Sequence, residues 1–244
     1  RQMCIRDRDM KQHFKISMPM GFQMSIIAIG AVVLQFVLNG LGSAAVAAFS
    51  AAQRIDQIAG QPMNSFGTTM ATYAAQNYGA GEIGRIKKGV LQCCLISVGF
   101  SIAVGLVNVF AGYQMAGFFV GDGERAVQSM AQTYLQINGA MYFVLALLYI
   151  FRFTLQGLGK GFMPTVAGVM ELIMRTFAAV FLTAAVGFAG ACWASPLAWV
   201  GACIPLAVAY FLTMRRLSAG LNKRENGRIC LLYTSPSPRD TERS

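Results

Sequence analysis

Charge is scarce in this sequence. Only 12% of its 244 residues are Asp, Glu, Lys or Arg, against about 25% in an ordinary soluble domain. A chain so poor in charge cannot clothe a conventional water-facing surface. Histidine is nearly missing too: His13 is the only one, and none of the six cysteines belongs to a CxxC pair. No zinc or haem-attachment site is therefore readable. Four of the cysteines (Cys93, Cys94, Cys192 and Cys203) lie within apolar runs, where a free thiol packs as a small hydrophobe. There is no GxSxG, no HExxH, no phosphate-cradling glycine loop and no pair of convergent carboxylates, so no enzymatic chemistry is indicated. The stretch GAGEIG has no strand before it and reads as a tight loop between helices, not a nucleotide fingerprint.

Apolar length is abundant instead. Hydrophobic residues make up 55% of the chain and the mean hydropathy is +0.52. Six stretches are long enough to cross a bilayer, for which about 20 residues are needed. They run about 16–38, 45–78, 89–120, 126–157, 162–188 and 193–217. An all-α integral membrane protein, a bundle of six transmembrane helices, is the fold class expected. Within the second and most polar stretch, Gly60 and Pro62 mark the expected break, because proline removes an intrahelical bond.

The formal net charge is +10, but the basic residues sit in short clusters between apolar runs. That placement marks membrane topology and not a nucleic-acid-binding face. Lys11 and Lys15 precede the first span, and Arg85, Lys87 and Lys88 follow the second. Lys160 follows the fourth, and Arg215, Arg216, Lys223 and Arg224 follow the sixth. The other connections are neutral or, in GDGER, carry two acids and one arginine. Basic connections alternate with non-basic ones, so the positive-inside rule puts both ends of the chain in the cytoplasm.

The ends themselves read as foreign to the fold. RQMCIRDR (residues 1–8) and the stretch 229–244, which contains CLLYTSPSPRD, resemble translated sequencing-adapter read-through and are set aside. The chain between them, 9–228, is expected to be a fragment of a longer protein.

Polarity inside the spans is concentrated in two places. In the second, Gln53, Gln57, Gln61, Asn64, Thr68, Thr72 and Gln76 recur at spacings of three and four. At 100° per residue they fall within about 140° of one helix face. Polar groups in a bilayer need partners, so the stripe is expected to line a water-filled cavity, with interhelical hydrogen bonding as the competing reading. Arg54 and Asp56 lie on the same helix, as an interfacial pair or the rim of that cavity.

The second place is MELIMR, residues 170–175, inside the apolar fifth span. At 1.5 Å per residue, Glu171 lies about 13 Å and Arg175 about 20 Å from the start of the span. Each buried charge costs about 2.5–3.5 kcal/mol on insertion scales, so an intramembrane pair points to function. The i, i+4 spacing, glutamate first, also lets the two pair along one face. Arg152 is five residues from Gly157, close enough to the span's end for snorkelling to account for it. Tyr142 and Tyr149 are expected to pack as core aromatics.

Taken together, ISMPMGFQ opening a span, AAFSAAQRIDQIAGQPMNSFG followed by QNYGAG, then TLQGLGKGFMP and ELIMR, resemble the C-terminal half of a MATE multidrug efflux transporter. The resemblance covers about residues 11–220. It implies one lobe of a twelve-helix, two-lobe antiporter that exports small organic cations or other amphipathic drugs in exchange for H⁺ or Na⁺. It implies a bacterial plasma membrane location, no bound cofactor, and a coupling site mostly in the N-terminal lobe absent from this chain. Some sodium-coupled members carry a glutamate and an aspartate at positions that fall near Ile26 and Leu145 here, both apolar, so a sodium site of that type is not expected. Related lobes also build flippases of lipid-linked saccharides, and a non-transporting membrane scaffold is the third reading.

Overall fold

The computed structural model describes residues 7–120 and 124–234, and every regular element among them is helical. The helices are α1 (Asp7–Asn39), α2 (Ser43–Gly79), α3 (Ile83–Val120), α4 (Arg125–Ala140), α5 (Tyr142–Gly157) and α6 (Phe162–Phe177). A π-helical turn (Ala178–Leu182) leads into the short α7 (Thr183–Val186), and α8 (Phe188–Thr234) closes the bundle. Residues 1–6 and 235–244, the outer parts of the two tails set aside above, lie outside the described residues.

The described residues therefore fold as six helical rods, with α4–α5 forming one broken rod and α6 running on through the π-helical turn into α7. Long, apolar membrane-crossing helices run Met20–Asn39, Ile83–Val120, Phe162–Val186 and Phe188–Ala219. The pair α4–α5, bent by 52°, makes a fifth span when taken as one. Helix α2, at 37 residues, has the length of a sixth, and its polar stripe is what withholds the composition. The lipid-facing surface is correspondingly greasy: Phe36, Phe110 and Phe118 are each more than three-quarters exposed.

Two local expectations are corrected. The second span does not break at Gly60 and Pro62: α2 runs unbroken from Ser43 to Gly79 with Pro62 inside it. Packing of α2 along α3, α4 and α5 outweighs the one backbone bond that proline withholds. The break falls instead in the fourth span, at Met141, whose backbone leaves the helical region (φ −105°, ψ 5°) and whose N–H donates to the Asn138 carbonyl at 2.9 Å. Just before it, Gly139 is pressed against α3, where a Cβ at Gly105 would stand 2.4 Å from the Gly139 carbonyl oxygen. That backbone-to-backbone approach is the close packing small residues allow between membrane helices.

The turn between α2 and α3 is as tight as GAGEIG suggests, with Gly81 at φ +79°, a left-handed conformation glycine adopts at little cost. Three buried clusters follow one another along the bundle, around Leu38, Ile55 and Leu135, then Met63, Tyr142 and Leu206, then Ile86, Ile150 and Met214. Polar side chains interrupt this core along one side of α2, and there the bundle is hollow.

Candidate functional site

The hollow has a volume of about 820 Å³ and draws its walls from α1, α2, α4, α5, α6 and α8. The α2 wall carries Gln53, Asp56, Gln57, Gln61 and Asn64, the N-terminal part of the stripe read from the sequence. Thr68 and Thr72 are not part of this lining. They stand exposed further along the same helix, and their hydroxyls donate to the Ser65 carbonyl at 3.0 Å and the Thr68 carbonyl at 3.4 Å. Arg54 is exposed, also outside the lining, and makes no ion pair with Asp56.

Asp56 points instead to tyrosines. The Tyr142 hydroxyl donates to its Oδ1 at 2.5 Å, and the Tyr134 hydroxyl approaches Oδ2 at 3.5 Å. Asn108 on α3 donates in turn to the Tyr142 hydroxyl at 2.9 Å. Tyr142 is fully buried, so it does pack in the core as expected, yet its hydroxyl is committed to the cavity wall. It stands at the first position after the α4–α5 break.

Across the cavity, Glu171 is shared by two arginines. Arg152 donates from Nη2 to Oε2 at 2.8 Å, and Arg175 from Nη2 to Oε1 at 3.0 Å. The sequence pattern anticipates the second bond, one helical turn along α6; the first joins α5 to α6. Arg152 is 7% exposed, so the snorkelling reading is corrected. A partner on α6 holds it in the interior, which is why it does not reach for the membrane surface. The Nε of each arginine is buried without a partner. Helix α1 makes room for this cluster by being bare at Gly30, where a Cβ would come 3.3 Å from Arg175 Cδ.

Several lining residues were not singled out from the sequence. Gln23 on α1 accepts from Gln156 Nε2 on α5 at 3.3 Å, and both line the cavity with Trp199 of α8. The two glutamines carry the same signal as the α2 stripe, a polar amide inside an apolar span, but singly. Leu145 lines the cavity and Ile26 does not.

The described residues thus form a helical bundle with exposed aromatics on its outside and a polar, charge-bearing cavity between its helices. The MatE family model matches residues 19–181, and the chain belongs to that family, the MATE efflux transporters. It is 26% identical over 182 residues to the multidrug export protein MepA of Staphylococcus aureus, covering 74% of this chain and 39% of MepA. It is 36% identical over 72 residues to the probable multidrug resistance protein YpnP of Bacillus subtilis, covering 30% of this chain and 16% of YpnP. The crystal structure of the Vibrio cholerae MATE transporter VcmN in its bent form superposes with a TM-score of 0.79 at 18% identity, over 89% of this chain and 50% of VcmN. A MOP superfamily transporter from Pyrococcus furiosus gives 0.76 at 18% identity, over 84% of this chain and 45% of that one. The chain thus spans half or less of the length of the relatives it matches, and its fold is one lobe of a twelve-helix transporter.

Proposed function

We propose that the chain is one lobe of a secondary active antiporter that exports small organic compounds, cations prominent among them, in exchange for H⁺ or Na⁺. Transport proceeds by alternating access between this lobe and a second one, in a bacterial plasma membrane, with both ends of this chain on the cytoplasmic side. The observation that carries the reading is the 820 Å³ cavity among the helices, with Asp56 on its wall and, among the described residues, no cationic side chain within ion-pair distance of it. An acidic group in such a place is a costly feature whose partner is expected to be a passing cation. The amides of Gln53, Gln57, Gln61 and Asn64 supply the hydrogen bonds that let polar atoms of varied drugs shed water. The relatives' names, a multidrug export protein and a probable multidrug resistance protein, support the same substrate class.

The flippase reading keeps one observation in its favour, the two arginines in the cavity. Against it, Asp56 and Glu171 match them charge for charge. The test is efflux from drug-sensitive cells expressing the full-length transporter that contains this lobe. We expect Asp56→Asn, and Gln57→Leu with Asn64→Leu, to lower efflux of cationic drugs at least tenfold at unchanged protein level. Efflux that survives all three substitutions would remove the cavity from the substrate path.

A further inference from the structure

Arg54 is exposed and, among the described residues, takes part in no hydrogen bond or ion pair. It lies eleven residues into α2 from Ser43, about 16 Å along the axis. The membrane-crossing part of α1 ends at Asn39, four residues before Ser43, so this end of α2 stands at the membrane's edge. Arg54 is then well inside, too deep for its side chain to reach out to water at that edge. At 100° per residue, Ser50, Arg54, Gln61, Ser65, Thr68 and Thr72 fall within about 60° of one another. All six are exposed, with Ile58 at the edge of the row. Asp56 stands about 150° round the helix from the middle of that row, on the side turned to Tyr142. The exposed row on α3 is of the other kind: Leu95, Ile102, Leu106 and Phe110. That row suits hydrocarbon, whereas a polar row bearing an unpaired cation does not.

We propose that this row of α2 is the seam on which the second lobe closes, and that Arg54 pairs there with a carboxylate of that lobe when the two meet on the extracellular side. The proposal rests on the reading of the chain as one lobe of an alternating-access exporter and assigns one of its gates. Length and chemistry name the occupant. The chain covers 39% of MepA and 50% of VcmN, so these relatives carry a further part about as long or longer, and lipid is excluded by the polar row. Arg54 itself calls for an acid, because a guanidinium taken out of water needs a charged, hydrogen-bonding partner. When the lobes part on that side both groups return to water, where such a pair is worth little. The contact therefore favours one state without locking it.

Ala47→Cys reports on the seam, since Ala47 is exposed and two turns outward from Arg54 on the same face. In cells expressing the full-length transporter in a cysteine-free background, its labelling by a membrane-impermeant charged maleimide measures how far the outer side stands open. Arg54→Gln is expected to speed labelling at least fivefold, and Arg54→Lys, which keeps the charge, to leave it within twofold. Arg54→Glu should speed it as much or more and lower efflux, which should return when one Asp or Glu of the second lobe is replaced by Lys. If Arg54→Gln leaves the labelling rate unchanged, Arg54 closes nothing and the proposal falls. If Ala47→Cys is labelled in no variant, the row does not open on water and the proposal falls as well. If no acid of the second lobe restores efflux, the carboxylate partner is removed. In each of these cases the exporter reading stands as long as the unaltered protein exports drug, and both fall if it does not. Should Arg54→Glu fail to fold, labelling in Arg54→Gln and Arg54→Lys decides alone.

Discussion

Glu171 holds together a costly arrangement, three charges buried side by side. It is 5% exposed and accepts one bond from each of two buried arginines. Removing its charge strands two cations in a low-dielectric interior, whereas removing Arg152 leaves a neutral Glu171–Arg175 pair behind. Breaking a buried ion pair from one side costs about 3–5 kcal/mol. We therefore expect Glu171→Gln to lower the Tm of the detergent-solubilised transporter and its efflux more than Arg152→Gln does. Equal losses from the two substitutions would mean that charge balance does not govern this cluster. Its i, i+4 half is legible in MELIMR, because α-helical geometry alone brings residues four apart together. Its other half is not, since nothing local to Arg152 names residue 171 as its partner.

At the scale of the elements, Asp56's main hydrogen-bond donor, Tyr142, is the first residue after the break between α4 and α5. The run 126–157 reads as one apolar span, and the break within it falls two residues after Gly139, where α4 presses on Gly105 of α3. A Cβ at Gly105 would meet backbone, which cannot swing away, while one at Gly99 on the same helix would meet nothing within 4 Å. Overpacking of this kind costs about 1–3 kcal/mol. Gly105→Ala is expected to lower the Tm, with Gly99→Ala as the control that leaves it in place or raises it. An unchanged Tm for Gly105→Ala would show that α3 and α4 have room to separate. Pro62 teaches the converse, since a residue that stops an isolated helix is carried within α2 by packing on α3, α4 and α5.

Across the whole molecule, α2 is the helix that refuses the lipid. Its stripe continues past the cavity through Thr68 and Thr72, which stay exposed and satisfy their hydroxyls on their own backbone. Phe110, by contrast, presents an apolar surface that is 77% exposed. If the polar face opens on water between two lobes, a cysteine there ionises and reacts, and one in hydrocarbon does neither. In a cysteine-free background of the full-length protein, we expect Thr72→Cys to be labelled by a charged maleimide at least tenfold faster than Phe110→Cys. Comparable rates would place the two faces in the same surroundings.

The sequence by itself determined the solvent, the helical class and the number of rods, because crossing about 30 Å of hydrocarbon requires long apolar helices whatever their neighbours. It also marked Gln53 through Asn64 as one face, since 3.6 residues per turn is a property of a single helix. Only the tertiary structure decided what that face looks upon. It set Asp56 beneath Tyr142, drew Arg152 inward to Glu171, left Arg54 outside, and ended the cavity before Thr68. These are contacts between residues 19 to 86 positions apart, and they exist only once separate helices pack at a particular depth and rotation, which depends on the fit of all the side chains between them.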